Sequence, residues 1–418
     1  MAHLNQSELL VVVVVALIVA TAFYLFRLYK RKFIFQEKEL IANGLAFTKE
    51  VLVKDKQGFL KQKITQKKVR GYYNKKKAIF VLNKFSQELN NENISQKHST
   101  IEKITGKKVV LSRVEKSFFS YRAVFYLENF PEVVGLENLK NELKDGEFFV
   151  GINPMGEPEI NSSIEDFNWL TTVIGSQGSG KTTALVSQCF TYLNSFKKPI
   201  HRLFIVDIKK TDFLPLIDHF KNKIEVQFFN PLDLEDLKLL NQELESYLEN
   251  NIKFFKLLAD ENISVRHWHF LPEKYQALRH KPLAIIFDEI PSYLSVVDNK
   301  IKLGKEPTDL EVQAFEEQEN RKKLSLILTK LFNTARPTGT AIWLASQTGN
   351  VSDLAIPFTN LRNHFLMSKT TGATAQVWGI PQELATRSDL RKGLFIYSSS
   401  KSQGLVKTPF IDLGSKKQ

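Results

Sequence analysis

One stretch of eight residues constrains the fold of this 418-residue chain more than any other. Residues 175–182 are Gly175, Ser176, Gln177, Gly178, Ser179, Gly180, Lys181 and Thr182, which fit the pattern G-x-x-x-x-G-K-[ST]. An apolar run at 170–174 precedes them, and a helix-compatible stretch begins at Thr182. Glycines let backbone N–H groups close around phosphate oxygens, and the helix N-terminus adds a positive dipole end. The stretch therefore predicts a phosphate-binding loop between a strand and a helix.

The loop also predicts how a nucleoside triphosphate is held. Lys181 is expected to reach the β- and γ-phosphates, and Thr182 to offer its hydroxyl to Mg²⁺. The other loop residues, together with Thr183, complete the expected contacts with the nucleotide. ATP and Mg²⁺ are therefore the expected cofactors.

A second apolar run, at 283–287, ends in two acidic residues. Asp288 is placed to hold Mg²⁺, either directly or through water. Glu289 follows it and is expected to polarise the attacking water, because a carboxylate is ionised at neutral pH and accepts a proton. Such a strand end is a weak signal alone and a strong one with the phosphate-binding loop upstream. The pair predicts ATP hydrolysis.

Two polar residues flank a third apolar run, at 341–345. Gln347 follows the run and is expected to contact the γ-phosphate or the water. Arg336 precedes the run and is a candidate for completing the site of a neighbouring subunit in trans, with a packing or surface role as the alternative. Arg362 is a weaker candidate for the same role.

The spacing of the apolar runs predicts the fold class. Runs at 203–206, 283–287, 341–345 and 394–397 are short and unalternating, as buried parallel strands are. Amphipathic helical stretches separate them, so we expect a doubly wound α/β sheet. The strand at 203–206 lies between the phosphate loop and the acidic pair in the sequence. An inserted strand with Glu beside Asp matches the additional-strand, catalytic-glutamate class of P-loop ATPases, which have RecA-like cores.

The N-terminal region predicts a membrane anchor. Residues 9–26 are uncharged and almost wholly apolar, and at ~1.5 Å per residue they would span about 27 Å of helix, close to the thickness of a bilayer core. Arg27, Lys30, Arg31 and Lys32 follow, which favours a cytoplasmic location for the rest of the chain. We expect one transmembrane helix over 9–28 in the cell (inner) membrane. The alternative, a cleaved signal peptide, fits less well because residues 1–8 lack Lys and Arg.

Positive charge is concentrated next to this anchor. Residues 27–84 hold 17 Lys or Arg and 4 Asp or Glu, which accounts for the formal net charge of +13 of the whole chain. Such a block suggests contact with anionic lipid or nucleic acid, and a solvated linker is the alternative. A second charge-dense stretch, 306–323, has both signs and is expected to be a solvated helix face.

The predicted domains follow from these patterns. They are an external N-terminus at 1–8, the transmembrane helix at 9–28, a basic juxtamembrane segment at 29–77, a small α+β adaptor domain at 78–146 and a RecA-like ATPase motor domain at 147–418. Within the adaptor we expect a helix at 78–89, strands at 109–111 and 121–127, and a short helix at 135–143. A hairpin near 148–157 is expected to open the motor domain.

The ordered motifs resemble the FtsK/SpoIIIE branch of the FtsK–HerA superfamily. The resemblance covers roughly residues 147–397. Beyond the phosphate loop it is carried by the lead-in at 149–156, the Ile-Val-Asp-Ile-Lys strand end at 205–209, Asp288-Glu289-Ile290, the stretch 333–347 and Gly393-Leu394-Phe395. Ile208, Pro337, Thr340 and Ser346 depart from the residues usual in the family.

The resemblance implies a ring-forming, usually hexameric, ATP-driven translocase of double-stranded DNA anchored in the cell membrane. A single anchor and few residues after Tyr397 favour a motor of conjugative or mobile elements, with conjugation or secretion channel proteins as partners. Asp288-Glu289-Ile290-Pro291 also resembles the strand end of type IV coupling proteins. The pore-loop candidates are Lys209, Lys210 and residues 299–305. Two alternatives stay open: a type IV coupling or type VII-like ATPase that moves protein or a protein–DNA complex, and a non-enzymatic nucleotide-binding scaffold.

Overall fold

The structure is a computed structural model. It describes residues 21, 47–54, 60–67, 70–73, 77–83, 97–116, 120–139, 142–166, 169–197, 201–264, 267–276, 281–294, 307–347, 349, 364–385, 390, 392–399 and 403–411. The chain divides into two compact units. The first comprises Met1–Phe130 with Pro154–Gly156, and the second comprises Pro131–Asn153 with Glu157–Gln418.

The first unit contains two antiparallel sheets. One is the hairpin β1 (Phe47–Lys54) and β2 (Leu60–Lys67). The other has the order β3-β4-β6-β5, from β3 (Arg70–Tyr73), β4 (Lys77–Asn83), β5 (Val109–Lys116) and β6 (Ser120–Leu127). Helix α1 (His98–Thr105) precedes β5 and ends at Gly106, whose φ of +67° suits a glycine.

The helix expected at 78–89 is wrong, because residues 77–83 form strand β4. This strand lies between β3 and β6, with Ile79 opposite Val124. Its β-branched and aromatic residues fit a pleated surface, which outweighs the helical spacing of its apolar positions. The expected strands at 109–111 and 121–127 are confirmed.

Three other local features differ from expectation. Strands β1, β2 and β3 lie within the basic segment 29–77, to which no secondary structure was assigned from the sequence. Helix α1 was likewise not assigned from the sequence. The described part of 135–143 holds only one 3₁₀ turn, Leu136–Asn138, in place of the expected helix.

The second unit is built on a ten-stranded sheet. Its strands are β7 (Glu147–Ile152), β8 (Pro158–Ser162), β9 (Leu170–Ile174), β10 (Arg202–Val206), β11 (Glu225–Phe229), β12 (Leu283–Phe287), β13 (Ala341–Ser346), β14 (Phe365–Met367), β15 (Leu394–Ser398) and β16 (Gln403–Lys407). The spatial order is β11-β10-β12-β13-β9-β14-β15-β16-β7-β8. The expected hairpin before β9 is confirmed as β7 and β8.

Strand direction divides this sheet into two halves. The first six strands in the spatial order, from β11 to β14, are mutually parallel and are called the parallel half. The other four, from β15 to β8, are called the antiparallel half. The strand expected at 394–397 is therefore buried, as β15, but its expected parallel direction is wrong.

The spatial order also corrects the identity of the inserted strand. The sequence suggested 203–206, since this run lies between the two motifs along the chain. In the sheet, β13 lies between β9, which carries the phosphate loop, and β12, which carries the acidic pair. Strand β10 pairs with the opposite edge of β12. The additional-strand arrangement holds, but the inserted strand is β13.

Helices cover the second unit. They are α2 (Lys181–Ser195), α3 (Leu214–Phe220), α4 (Leu234–Asp260), α5 (Glu273–Gln276), α6 (Pro291–Leu294), α7 (Asp309–Thr338), α8 (Gly372–Trp378) and α9 (Gln382–Ala385). The charge-dense stretch 306–323 contributes the start of α7, where Thr308 and Glu311 form a capping box. The expected helix there is confirmed.

An aromatic cluster joins α2 to the sheet. Trp343 of β13 lies edge-on to Tyr192 of α2 and to Phe148 of β7, with ring centroids 5.4 and 6.2 Å apart. All three side chains are buried. Because such edge-to-face pairs add to the burial of large rings, the cluster fixes α2, and with it the phosphate loop, on the sheet.

The second unit starts before residue 147, where the motor domain was expected to begin. Residues 131–134 contact the segment 407–410. The Lys407 ammonium donates to Pro131 O at 2.7 Å, and Phe410 N donates to Val134 O at 2.8 Å. Among the described residues, no helix has the length and apolar character to cross a membrane. The expected transmembrane stretch 9–28 lies outside them, apart from Thr21.

Candidate active site

The loops that follow β9, β10, β12 and β13 meet at one edge of the sheet. Parallel strands bring their carboxyl ends to the same edge. Backbone hydrogen bonds join these ends: Gly175 N donates to Ser346 O at 3.0 Å, Asp288 N to Val206 O at 3.0 Å, and Ile290 N to Ala345 O at 3.1 Å. Segments that are distant in sequence therefore form one continuous surface.

The phosphate loop has the backbone that its glycines predict. Gly178 and Gly180 have φ angles of +77° and +98°, which L-residues with a side chain rarely adopt. Helix α2 begins at Lys181, and no side chain caps its first turn. The first N–H groups of α2 and its positive dipole end are thus available to an anion.

Lys181 sits at the bottom of the site, with only 7% of its side chain exposed. Its ammonium donates to Gly175 O at 2.9 Å and lies 3.2 Å from Glu289 Oε1. A buried ammonium needs such partners, because an isolated charge would be costly to desolvate. Glu289 is itself held at the end of β12 with a positive φ of +51°. The lysine and the proposed catalytic carboxylate are therefore direct neighbours.

Thr182 and Asp288 form the second contact between the two motifs. The Thr182 hydroxyl donates to Asp288 Oδ2 at 3.0 Å. The other carboxylate oxygen, Oδ1, accepts from Glu289 N at 3.1 Å. A hydroxyl and a carboxylate at this distance offer Mg²⁺ two oxygen ligands.

The pKa of the Asp288 carboxyl is raised to about 6, mainly by burial, and the nearby carboxylates of Asp207 and Glu289 act in the same direction. The hydrogen bond from Thr182 and the charge of Lys181 act in the opposite direction and favour the ionised form. Burial also raises the pKa of Tyr293 well above its usual range. The site therefore concentrates negative charge where a cation would relieve it.

Asp207 organises the loop after β10. Its Oδ2 accepts from Lys209 N at 3.0 Å and from Lys210 N at 2.8 Å. Lys209 lines the cavity described below, and the Lys210 ammonium lies over the Phe228 ring; the pore-loop role expected for both stays a prediction. Asp207 is 5% exposed and had no assigned role in the site.

A cavity of about 790 Å³ lies over these loops. Of the residues predicted from the sequence, it is lined by Gln177, Gly178, Gly180, Lys181, Thr182, Thr183, Asp288, Glu289 and Gln347. Gly175 takes part through its carbonyl oxygen, and Ser176 and Ser179 belong to the same loop without lining the cavity. Arg336 is exposed in the last turn of α7 and does not line this cavity. Arg362 and residues 299–305 lie outside the described residues.

Sequence reasoning missed part of the lining. Lys392, Phe410, Asp212 and Asp207 line the cavity. Lys392 precedes Gly393, whose N–H donates to Ser179 O at 2.9 Å. A Cβ on Gly180 would lie in tight contact with Gly393 N, at 3.3 Å, and the φ of +98° at Gly180 also favours glycine at this position. Lys392 thereby adds a second cation beside the loop.

The residues present fit a triphosphate with Mg²⁺. The uncapped helix end, the glycine-rich backbone and the three lysines that line the cavity suit phosphate oxygens. Within the described part of the chain, no cluster of three His, Cys, Asp or Glu side chains could hold a metal. Mg²⁺ ordinarily combines one or two carboxylates with substrate phosphates, and Asp288 with Thr182 suits that mode.

No protein-family model matches the chain, and no curated protein matches its sequence. In three dimensions it is similar to the pCW3 conjugation coupling protein TcpA, in a monomer form with ATPγS. That match has a TM-score of 0.53 and 12% identity, over 88% of this chain and 89% of that chain. The cytoplasmic domain of the Thermomonospora curvata type VII secretion ATPase EccC matches at a TM-score of 0.44 and 14% identity, over 68% of this chain and 28% of that chain.

At such identities a structural match establishes a shared fold. The chain therefore shares the fold of this conjugation coupling protein over most of its length. Within this fold, the phosphate loop and the acidic pair line the same cavity.

Proposed function

We propose that this chain is an ATP-driven motor that is anchored in the cell membrane by one helix and moves double-stranded DNA during DNA transfer of the conjugation type. In this proposal it works as a homo-hexameric ring with most of the chain in the cytoplasm. The observation that carries the proposal is the meeting of Lys181, Thr182, Asp288 and Glu289 in one cavity. These groups suffice to bind ATP with Mg²⁺ and to hydrolyse it.

Binding begins with an exchange of partners at Lys181. Its ammonium leaves Glu289 for the β- and γ-phosphates, while the N–H groups at the start of α2 bind phosphate oxygens. Thr182 and Asp288 would hold Mg²⁺, and the ion when bound would supply positive charge next to the transferred phosphoryl group. Glu289, released from the lysine, is then free to orient a water molecule.

Hydrolysis depends on Glu289 as general base. Its carboxylate accepts the proton of the attacking water. Gln347 follows β13, the strand between β9 and β12, and also lines the cavity. In this proposal Gln347 contacts the γ-phosphate or the water and passes the loss of that phosphate to the sheet. Arg336, which lies away from the cavity, is assigned to the site of the next subunit in the ring.

Three features support DNA as the polymer. The fold is shared along most of its length with a protein described as a conjugation coupling protein. Residues 27–84 carry the whole net positive charge of the chain, which suits phosphate backbones and anionic lipid. The apolar stretch 9–26 next to them suits a membrane anchor. A channel protein of the transfer machinery would be the partner that receives the DNA.

The test is ATP turnover by the full-length chain in lipid nanodiscs, with and without duplex DNA, combined with displacement of a DNA triplex. We expect duplex DNA to stimulate turnover and the ring to displace the third strand only with ATP. Lys181→Ala is the control and should abolish both signals. A verified oligomer that hydrolyses ATP but neither responds to duplex DNA nor displaces the third strand would contradict the DNA assignment.

The same assay separates the alternatives. Stimulation by a substrate protein in place of DNA would favour a secretion ATPase with the same core. Nucleotide binding without turnover under any condition would favour a scaffold.

A further inference from the structure

The end of the described chain forms a rigid segment beside the candidate active site. Thr408 N donates to Gly393 O at 2.8 Å, and Phe410 N donates to Val134 O at 2.8 Å. Between them, Pro409 O accepts from the Ser187 hydroxyl of α2 at 2.8 Å. Three separate parts of the second unit thus fix the backbone of residues 408–410.

Phe410 projects from this fixed segment with its ring largely in solvent. It is 60% exposed, whereas Thr408 is 6% exposed. Phe410 and Ile411 both line the active-site cavity, as does Val186 of α2. An exposed aromatic ring on an anchored backbone loses little entropy when it binds a ligand, because only its side-chain torsions remain to be fixed.

The position of Phe410 along α2 fits the dimensions of a nucleotide. The helix starts at Lys181, at the phosphate end of the cavity, and rises ~1.5 Å per residue. Ser187, which holds Pro409, therefore lies roughly 8–9 Å further along the helix axis. That separation corresponds to the passage from the phosphates across a ribose to a base. A cavity of about 790 Å³ is large enough for a whole nucleoside triphosphate.

We propose that Phe410, flanked by Val186 and Ile411, is the shelf on which the nucleobase stacks. This inference rests on the proposed nucleotide site and assigns its base-binding end. The ring supplies a flat apolar face, and every base offers a matching π-face. The Ser187 hydroxyl already bonds Thr183 O and Pro409 O, so it does not serve to distinguish one base from another. Because stacking on Phe410 uses only the face of the base, it adds affinity for ATP and GTP alike.

The test measures binding of ATPγS and of inorganic tripolyphosphate, each with Mg²⁺, to the full-length chain by calorimetry. Phe410→Ala should raise the Kd for ATPγS about tenfold, as expected for loss of one base–aromatic stack. Binding of tripolyphosphate, which has no base, should be unchanged. Phe270→Ala is the matched control, because Phe270 is 65% exposed and does not line the cavity. It should leave both affinities unchanged.

A second variant reports stacking directly. Phe410→Trp should retain the affinity for ATPγS, and its added fluorescence should change with ATPγS and stay constant with tripolyphosphate. Wild-type affinity for ATPγS in Phe410→Ala, or an equal loss for both ligands, would overturn the shelf alone. A wild-type chain that binds neither ligand would overturn the proposed nucleotide site together with the shelf.

Discussion

Both halves of the ten-stranded sheet contribute residues to the same cavity, but the directions of the contributing strands differ. In the parallel half, β9, β10, β12 and β13 all end at one edge, and the phosphate loop and the acidic pair follow these ends directly. In the antiparallel half, β15 runs against β14 and so begins at that edge, and β16 runs against β15 and so ends there, with Leu394 opposite Lys407. Lys392 precedes β15 and Phe410 follows β16, which brings both to the cavity.

This difference suggests a division of labour. The parallel half carries Asp288 and Glu289, the groups proposed to hold Mg²⁺ and to activate water. The antiparallel half supplies groups suited to holding the nucleotide, namely a cation and an aromatic ring. Variants of the acidic pair should therefore act mainly on turnover, and variants of Lys392 and Phe410 mainly on nucleotide affinity.

The largest effect is expected from Glu289→Gln in the parallel half. Removal of a general base lowers turnover by about a thousandfold. Affinity for ATPγS should stay equal or rise, because Lys181 no longer has to leave a carboxylate 3.2 Å away. Steady-state turnover and calorimetry give the two numbers. Glu273→Gln, at an exposed position on α5, is the control and should resemble the wild type. A turnover rate within tenfold of wild type would contradict the division.

A smaller effect is expected from Lys392→Ala in the antiparallel half. Loss of a cation beside the phosphate loop should raise KM for ATP about tenfold, the scale of one charge-assisted hydrogen bond, and change kcat less than threefold. Lys392→Arg should recover most of the affinity, since it keeps the charge. Lys281→Ala removes an exposed lysine next to β12 and serves as the control. A fall in kcat at unchanged KM would place Lys392 with the catalytic groups instead.

The smallest effect is expected from His364, at the seam where the parallel and antiparallel halves of the sheet meet. His364, next to β14, bonds Thr171 of β9 at 2.8 Å and Asn161 of β8, and burial lowers its pKa to about 3. Below pH 6.5 the His364 imidazole becomes protonated in the unfolded chain but stays neutral in the folded chain. The free energy of unfolding therefore falls as pH decreases. Between pH 6.5 and pH 5.5 we expect the free energy of unfolding to fall by about 1 kcal/mol.

Thermal unfolding of the wild type and of His364→Gln over this pH range measures that effect. The variant should be less stable at pH 7.5, because a fully buried ring that fills the seam is lost. Its stability should nevertheless change less between pH 6.5 and 5.5 than that of the wild type. Parallel pH profiles for the two proteins would exclude a neutral His364 as the cause.

The sequence predicted the parallel half better than any other region. Residues 175–182 and the pair Asp288-Glu289 combine residue type and fixed spacing within a few positions, so each motif is visible without the fold. Which strand lies between them is not visible, because spatial order differs from chain order, and the sequence pointed to β10 where the sheet has β13. The role of Arg336 in the site of a neighbouring subunit stays a prediction.

Prediction from the sequence failed for elements whose place in the fold depends on strand direction or on strand pairing. The apolar run of β15 is buried like its parallel neighbours, and nothing in its composition shows that it runs the other way. Lys392 and Phe410 belong to no motif, since their place depends on that direction. In β4, apolar residues fit both a helical and a strand period over seven positions, and only pairing with β3 and β6 resolves the choice.

The central claim is that the phosphate loop and the acidic pair act as one site, and a double-mutant cycle tests it most directly. The cycle compares kcat/KM for MgATP hydrolysis in the wild type, Thr182→Val, Asp288→Asn and the double variant. Since the Thr182 hydroxyl and the Asp288 carboxylate lie 3.0 Å apart and share one proposed Mg²⁺, we predict that each single variant loses about a hundredfold and that the double variant loses little more. Losses that multiply in the double variant would contradict the claim.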